Sequence, residues 1–522
     1  MILGDILSGN ARRIPDAIAW RYKDSHWTWG EANSRVNRLA SSLLALGLKF
    51  EDRAVIVSNN STRLVELLFA LGKTGIVAVP MAPRAVWREI AYVLNDVEAS
   101  VLFVEGNLAR ALDGAPADIE RKYKVIGIGP GHTLATDFDH LIQQGRDEEP
   151  PCRISDDAMR TIRFTSGTTG EPKGCIGTHR TLMYDVLNYL SFLPPIPPDE
   201  RCLLPVSVAT GYGLNTIAGY AVKGVETVLA ERFDPGLILD LIQKHGVTRM
   251  CGVPTMITLI TEEQKARPRD IASLRMFGYT GAPAAVATIR EAMQVLGCDF
   301  YQGYGSTETG GRITYLSPED HRRFAEQSGD NVIDALGRNV ISAGRELPFR
   351  EIRLVDADMK PVPEGEVGEV MVFSDSIFAA YWNKPKETAE VKKDGWLFTG
   401  DLARRDVNGF YYIVDRKRDM IVSGGYNVYS VEVETVLLTH PDVVEAAVFS
   451  VPDPTWGEAV WAAITSRPGR QPDPAELTEH CRKNLSVFKV PKKFLFIDGM
   501  PRTSSGKIRK MDLREKYKHQ AA

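Results

Sequence analysis

Short apolar runs alternate with amphipathic ones through the first 150 residues. Residues 54–57, 76–79, 101–104 and 125–128 are continuous apolar runs of strand length, whereas 64–71 and 88–94 carry the spacing of a one-sided helix. The rhythm returns with strands over 225–229 and 248–251 and helices over 235–245 and 256–261. Strand and helix in alternation predict an α/β fold of open sheets covered on both faces, and two such layers can form one large N-terminal region. From about 350 to 415 the pattern changes to β-like pieces at 351–355, 369–373 and 410–414, set between Gly and Pro turns, which predicts a small β-barrel-like part. A third block follows, with strands at 420–422, 443–450, 459–465 and 493–497 and helices at 430–438 and 475–485. That is enough for a small α+β C-terminal domain with its own core. The joint falls at Asp415-Arg416-Lys417-Arg418-Asp419. A charge run is ordinarily a solvated face, but its position suits a hinge, dividing the chain into 1–417 and 418–522.

Length supports this division, because 522 residues exceed what one hydrophobic core sustains. Hydrophobic content of 44% and charged content of 25% are ordinary for a globular chain. A net charge of −4 leaves no electrostatic footprint for nucleic acid or an anionic membrane. The six cysteines are scattered without metal-ligand or redox spacing, which fits a reducing, cytoplasmic setting. The N-terminus lacks the pattern of an export signal. The apolar stretch near 64–80 is broken by Glu66, Gly72 and Lys73, so no integral membrane segment is expected.

Residues 165–174 read Thr-Ser-Gly-Thr-Thr-Gly-Glu-Pro-Lys-Gly. Such a run cannot pack a core, but it can wrap a polyphosphate. Gly167, Gly170 and Gly174 let backbone N–H groups converge on an anion. Thr165, Ser166, Thr168 and Thr169 add hydroxyl donors, and Lys173 adds a mobile charge. The plainer alternative is a surface turn. The kinase and ATPase phosphate loop is excluded, since Lys173 is followed by Gly174 and Cys175 rather than Ser or Thr. Residues 301–310, Tyr-Gln-Gly-Tyr-Gly-Ser-Thr-Glu-Thr-Gly, offer a flat aromatic between glycines, a carboxylate for a metal and a hydroxyl for phosphate, although Gly-Tyr-Gly is also a common turn. Asp401, after Gly400, can accept from ribose hydroxyls. Gly424 and Gly425 allow close backbone approach, and Ser430 can cap the helix that follows. Residues 501–507, Pro-Arg-Thr-Ser-Ser-Gly-Lys, form a basic loop with one lysine at its tip.

Taken together and in order, these motifs resemble the adenylate-forming superfamily, which contains acyl-CoA synthetases, peptide-synthetase adenylation domains and firefly luciferases. The matching segments are 165–174, Gly281-Ala282-Pro283, Tyr304-Gly305-Ser306-Thr307-Glu308, Thr399-Gly400-Asp401, Asp415-Arg416, 423–434 and Ser505-Gly506-Lys507. The resemblance implies a two-step reaction. A carboxylate attacks the α-phosphorus of MgATP to give an acyl adenylate and pyrophosphate; a thiol then takes the acyl group and AMP leaves. By the same resemblance, Thr165, Ser166, Gly167, Thr168, Thr169, Gly170 and Lys173 hold the β- and γ-phosphates. Glu308 holds Mg²⁺, with Thr307 on a phosphate oxygen. Tyr304, beside Gly305, stacks on adenine opposite Gly281, Ala282 and Pro283. Asp401 binds the ribose, helped by Arg416. Lys507 bridges the carboxylate and the α-phosphate. The C-terminal domain is expected to be mobile and to pivot at Arg418, exchanging Lys507 for a coenzyme A tunnel lined by Ser423, Gly424, Gly425 and Tyr426. A helix-entry turn is the alternative role of Gly425.

Relatives carry a Pro-Leu-Phe-His stretch beside the acyl pocket. Here it is Pro205-Val206-Ser207-Val208, so the histidine's role is absent or moved. No acidic residue follows to bind an α-ammonium group, which argues against an amino acid substrate. The expected lining is Val208, Ala209, Thr210, Tyr212, Tyr279, Thr280, Gly303, Gly305 and Gly310, with the glycines leaving room. It suits an aryl, arylpropenoic or short-to-medium aliphatic acid. Arg163 and Arg312 can pair with a second polar group, but surface arginines are the commoner case. The implied function is an acid–CoA ligase using ATP, Mg²⁺ and coenzyme A, acting as a monomer or homodimer. Loading of a carrier protein in trans is the alternative. A non-catalytic scaffold is disfavoured by Lys173, Glu308, Asp401 and Lys507 all being present, and an oxygenase of the luciferase type has no positive signal.

Overall fold

The computed structural model describes residues 1–116, 118–165, 172–326, 341–467, 469–502 and 508–518. They divide into two compact units. One comprises the residues up to 326 with Ala343–Ile352 and Val372–Leu397; the other comprises 341–342, Arg353–Met371 and everything described from Phe398 onward.

The first unit contains two seven-stranded sheets. One has the order Asp299–Gln302, Met276–Tyr279, Arg249–Gly252, Arg201–Leu204, Glu226–Leu229, Ile18–Tyr22, Ser25–Thr28. The other has the order Thr136–Asp137, Lys124–Ile128, Val101–Glu105, Arg53–Val57, Val77–Met81, Met159–Thr165, Lys173–Thr178. Neighbours are parallel except at one edge of each, where a hairpin closes the sheet. The predicted strands reappear within a residue or two of their expected bounds. They read as unbroken apolar runs because both faces are covered: every residue of Val101–Glu105 is buried.

Five consecutive strands of each sheet share one order, in which the first lies between the second and the third. No sequence repeat announces this likeness. Chain reversal at such a point opens a crevice beyond the carboxyl ends of the first and third strands.

The interrupted apolar stretch becomes helix Thr62–Thr74, started by Ser61 accepting from Leu64 N and ended at Gly75 in the left-handed region. Nearly the whole helix is buried, so its two buried charges, Glu66 and Lys73, need partners. Arg35 clamps Glu66 through Nε at 2.6 Å and Nη2 at 3.1 Å, and Lys73 meets Glu149 at 2.7 Å. Among the described residues no helix is long and apolar enough to cross a membrane.

In the second unit, Val443–Asp453 and Gly457–Ser466 form a long antiparallel pair, joined by Ile421–Ser423, Tyr426–Val428 and Lys493–Phe496. Ala446 and Val448 enter one core with Val433, Leu437 and Leu477 of the helices Ser430–Leu438 and Pro474–Asn484. Ala447, Phe449 and Val451 enter a second core with Leu513 and Tyr517 of the helix Lys510–Tyr517. Alternation between two apolar cores explains why this strand too reads as continuously hydrophobic.

Ser430 was expected to cap its helix. It is instead the first helical residue, and the cap is supplied from a distance. Asp415 accepts from Ser430 Oγ at 2.8 Å and from Val431 N at 3.4 Å. The buried Asp415 therefore does not belong to a solvated charge face.

The buried pair on helix Thr62–Thr74 gives a test. Arg35→Ala leaves Glu66, whose side chain is 0% exposed, without its partner and is expected to cost about 3–5 kcal/mol in urea unfolding. Lys244→Ala removes an ion pair whose side chains are 57% and 93% exposed, and its unfolding midpoint should stay at the wild-type value.

Candidate functional site

The phosphate-loop candidate sits at the edge of the second sheet. Thr165 and Lys173 face each other as the last pair of the hairpin between Met159–Thr165 and Lys173–Thr178. Ser166, Gly167, Thr168, Thr169 and Gly170 lie outside the described residues. Gly174 was expected to aim its N–H at an anion. It lies instead inside the ladder opposite Phe164, and a Cβ there would come within 2.6 Å of Ile162 Cγ2. Close strand packing accounts for it. Lys173 is buried, and its Nζ stands 5.2 Å from the centre of the Tyr381 ring.

Glu308 comes from a second tight turn. Gly305–Ser306 pairs with Gly311–Arg312, and Ser306 and Thr309 exchange hydroxyl–amide bonds at 2.8 and 3.2 Å. Thr307 is half-buried, and its carbonyl accepts from Gly310 N. The Glu308 carbonyl accepts from Phe378 N at 2.9 Å, and its carboxylate accepts from Tyr381 Oη at 3.1 Å. Tyr381 thus touches both Lys173 and Glu308. Sequence reasoning missed it; the only signal was two adjacent aromatics, Tyr381 and Trp382, in a turn-rich stretch. Among the described residues no three acidic, histidine or cysteine side chains cluster for a metal. A single carboxylate suits Mg²⁺, which takes one or two carboxylates and completes its shell with phosphates and water.

The acyl-side candidates gather beyond the carboxyl ends of the first sheet. Val208, Ala209 and Thr210 follow Arg201–Leu204; Thr280, Gly281, Ala282 and Pro283 follow Met276–Tyr279; Gly303 and Tyr304 follow Asp299–Gln302. Thr280 Oγ1 donates to the Gly303 carbonyl, tying two of these loops. The Tyr304 carbonyl accepts from Ile313 N at 2.7 Å. Val208 is buried, and its N–H donates to Asn60 Oδ1 at 2.8 Å while Asn60 Nδ2 donates to the Val206 carbonyl at 2.8 Å. Asn60 is another positioning residue the sequence did not reveal. Thr210 caps the helix Gly211–Lys223 by accepting from Gly213 N.

Several expectations about this pocket change. Tyr279 is buried and its hydroxyl is bound to His321 Nε2 at 2.9 Å, so it gives the pocket no free hydroxyl. Tyr212 donates to the Gly278 carbonyl at 3.3 Å. The positions that Cβ atoms on Gly303, Gly305 and Gly310 would take are met by Arg312 Cγ, the Gly311 carbonyl and the Ser376 carbonyl, at 2.9, 1.9 and 1.7 Å. These glycines admit protein, not an acyl group. Arg163 and Arg312 are not surface residues: they are 8% and 7% exposed. Arg312 stacks 3.8 Å from the centre of Tyr189 and pairs with Asp185 at 3.3 Å. A small cavity of about 20 Å³ lies beside it, lined in part by Tyr212, Asn215, Thr216, Tyr220 and Tyr301.

In the second unit, Asp401 and Arg416 are direct cross-strand partners in an antiparallel pair, with Nε to Oδ1 at 2.8 Å. Ser423 pairs with Tyr426 across a two-residue tip, Gly424 and Gly425, at φ 58° and 82°. Two consecutive left-handed residues suit the twist of a hairpin and favour glycine. The segment is a hairpin tip rather than a helix entry. A Cβ on Gly424 would come within 2.7 Å of the Trp456 ring, whereas none of the described atoms approaches one on Gly425 within 4 Å. Tyr426 is exposed and stacks on Phe488 at 4.8 Å. The Arg418 carbonyl accepts from Arg514 Nη1 at 2.8 Å. Lys507 lies outside the described residues; Arg502 and Ile508, on either side of its loop, are joined by an antiparallel bridge.

The family model described as AMP-binding enzyme matches residues 7–382, and that described as AMP-binding enzyme C-terminal domain matches residues 432–507. A feruloyl-CoA synthase from Amycolatopsis sp is 35% identical over 97% of this chain and 97% of its own length. A fatty acid–[acyl-carrier-protein] ligase, ScoC, from Streptomyces coeruleorubidus is 32% identical over 98% of this chain and 95% of its own. The o-succinylbenzoate CoA synthetase of Bacillus subtilis, solved with its acyl-adenylate intermediate, superposes with a TM-score of 0.83 at 30% identity, covering 98% of each chain. The same enzyme has been solved with ATP and magnesium ion, with a TM-score of 0.84 at 29% identity over 98% of each chain.

His321 provides a pH test of the packing behind the Tyr279 loop. Its Nε2 accepts from Tyr279 Oη, its Nδ1 donates to the Ser317 carbonyl at 2.8 Å, and burial pulls its pKa down to about 4. The folded ring therefore stays neutral where the unfolded ring, at about 6.5, takes up a proton. Stability is fully present above that value and is lost as the pH falls toward 4, by about 3 kcal/mol in all. His321→Gln should flatten the unfolding-midpoint profile across this window. His179, pulled to about 3 by burial, retains its own contribution.

Proposed function

This chain belongs to the AMP-binding enzyme family, and on that premise we propose that it is an ATP-dependent acid–CoA ligase. It activates a carboxylic acid as acyl-AMP with release of pyrophosphate, then passes the acyl group to coenzyme A with release of AMP. The observation that carries this reading is the convergence of Lys173 and Glu308 on Tyr381 beside the phosphate-loop hairpin. One ammonium and one carboxylate held against the same ring suit a polyphosphate and its metal, as joining two anions requires.

Each residue then has a task. The 165–173 loop grips the β- and γ-phosphates, and Lys173 steadies the leaving pyrophosphate. Glu308 would hold Mg²⁺, which supplies charge neutralisation at the phosphates, with Thr307 on a phosphate oxygen. Tyr304 stacks on adenine opposite Gly281, Ala282 and Pro283, and Asp401 with Arg416 binds the ribose. Lys507 offsets the charge that builds between carboxylate and α-phosphate. The second half-reaction draws on the Ser423–Tyr426 hairpin, where the open side of Gly425 supports a passage for the pantetheine thiol. The mobile part of the chain turns at Arg418, whose dihedral change is of the hinge kind.

The acid is aryl, arylpropenoic or short-to-medium aliphatic. The relative named feruloyl-CoA synthase supports the arylpropenoic members of that range. A second reading, loading of a carrier protein in trans, is favoured by the relative named for an acyl-carrier-protein acceptor.

A panel of carboxylic acids, assayed for pyrophosphate release with and without coenzyme A, tests the proposal. Acid-dependent release that rises with coenzyme A, with thioester formed, is the expected outcome. Release by no acid removes the ligase reading, and release that rises only with a holo carrier protein selects the second. Lys507→Ala should lower acid-dependent ATP–pyrophosphate exchange by roughly 100- to 1,000-fold. Thioester formation from supplied acyl adenylate should largely survive. Unchanged exchange would remove Lys507 from the first half-reaction.

A further inference from the structure

Two buried guanidiniums of one strand, those of Arg160 and Arg163, have no counter-ion of their own among the described residues. Arg163, on the strand Met159–Thr165, is 8% exposed, and its Nε and Nη1 have no hydrogen-bond partner among the described residues. The carboxylates whose charge reaches it are Asp185 and Glu308. Asp185 is already shared by Arg312 and Arg350, at 3.3 and 3.1 Å. Glu308 is bonded to Tyr381. The neighbouring Cys175 cannot serve, since burial pushes its thiol well up and keeps it neutral. An isolated buried cation is costly, and Arg163 is the one of the two that packs against Gly211.

The side chain is aimed at a second positive element. Arg163 Nη1 comes within 2.6 Å of the point where a Cβ on Gly211 would stand. Gly211 opens the thirteen-residue helix Gly211–Lys223. The first turn of a helix leaves amides without intrahelical acceptors and carries the positive end of the helix dipole. Among the described residues, Thr210 Oγ1 accepts only from the amide of Gly213. A guanidinium packed against a helix N-terminus is electrostatically unfavourable, and an anion that reaches both relieves the repulsion.

We propose that Arg163 and the N-terminus of the Gly211–Lys223 helix form an oxyanion-binding subsite beside the acyl pocket. The oxyanion comes from one of two sources: a second carboxylate on the acid substrate, beyond the one that reacts, or a phosphate of the nucleotide. Tyr212, one residue into the helix, belongs to the acyl lining, whereas Thr165, two residues along the strand, leads into the phosphate loop. The assignment to these sources rests on the ligase reading; the subsite itself does not.

The test uses the full chain, wild type and Arg163→Met, in thermal unfolding with three kinds of probe: terephthalate, its monocarboxylate counterpart 4-methylbenzoate, and inorganic pyrophosphate. The wild type is expected to melt higher with one of the two polyanions than with 4-methylbenzoate, as a ligand that binds only the folded state requires. Arg163→Met should lose that increment while melting, without ligand, at or above the wild-type temperature, because an unpaired buried charge has been exchanged for an apolar side chain of similar length. Stabilisation by terephthalate alone assigns the acid as the source, and by pyrophosphate alone the nucleotide. With the acid as source, Arg163→Gln should also cut the ratio of kcat/KM for dicarboxylic over matched monocarboxylic acids by at least about 30-fold. An Arg163→Met protein that melts lower without ligand and keeps every anion increment overturns the subsite, as does a wild type that neither polyanion stabilises. The melting readout needs no turnover. A chain that binds the anion through Arg163 yet makes no thioester would sink the ligase reading and leave the subsite standing.

Discussion

Four segments of the larger unit meet at one buried carboxylate. Asp185, on helix His179–Leu190, accepts from the backbone N–H and guanidinium of Arg312, from Arg350 and from Asn215. It lies so close beneath Gly311 that a Cβ there would come within 2.1 Å of the carboxylate carbon. The hairpin that presents Glu308 can settle at this depth only with glycine in that place. Arg350 completes the junction by donating to the Arg312 carbonyl and to Ser374 Oγ, both at 2.6 Å. Without these donors the carboxylate would carry a desolvation penalty of several kcal/mol, and without the carboxylate two buried cations would. The turn carrying the metal-ligand candidate is therefore fixed from behind, before any nucleotide arrives.

Most buried charge elsewhere in this unit is balanced, Arg160 beside Arg163 on the same strand being an exception. Glu66 has Arg35, Lys73 has Glu149, and Glu200 has Arg249 at 3.2 Å. Each pair joins elements of the framework, where a lone charge would only destabilise. Arg160 and Arg163 depart from that pattern, and Arg163 does so where the strand nears the phosphate loop.

Much of the framework was legible because parallel strands buried on both faces leave unbroken apolar runs, as at Val101–Glu105, and because helices announce their ends, as with Ser61 and Gly75 around Thr62–Thr74. The hairpin strands beside the phosphate loop were not, since Met159–Thr165 carries Arg160 and Arg163 in buried positions and so lacks an apolar pattern. The motif residues of the site were legible as local chemistry, and the structure brings Glu308 and Lys173 to one aromatic ring. What the sequence could not show is which atoms fill the space beside a glycine. Gly303, Gly305 and Gly310 looked like room for a substrate and prove to be room for Arg312, Gly311 and Ser376. Tyr381 and Asn60 act through contacts with residues far away in the chain, and spacing carries no trace of such contacts.

The shared strand order of the two sheets explains where the functional loops gather. Each sheet has a crevice where its connections diverge, between the strands Arg201–Leu204 and Arg249–Gly252 in one and between Arg53–Val57 and Val101–Glu105 in the other. The second crevice is occupied by the chain itself. Glu105 accepts from Ser58 Oγ and Asn59 N, and this braced turn presents Asn60, which grips the backbone of Val206 and Val208 on both sides. Val206 and Val208 belong to the loop leaving the first crevice. One strand-end crevice thus serves as the fixture for the loop of the other. The grip is on backbone atoms, so the path of this loop does not depend on a hydrogen-bonding side chain at Val208.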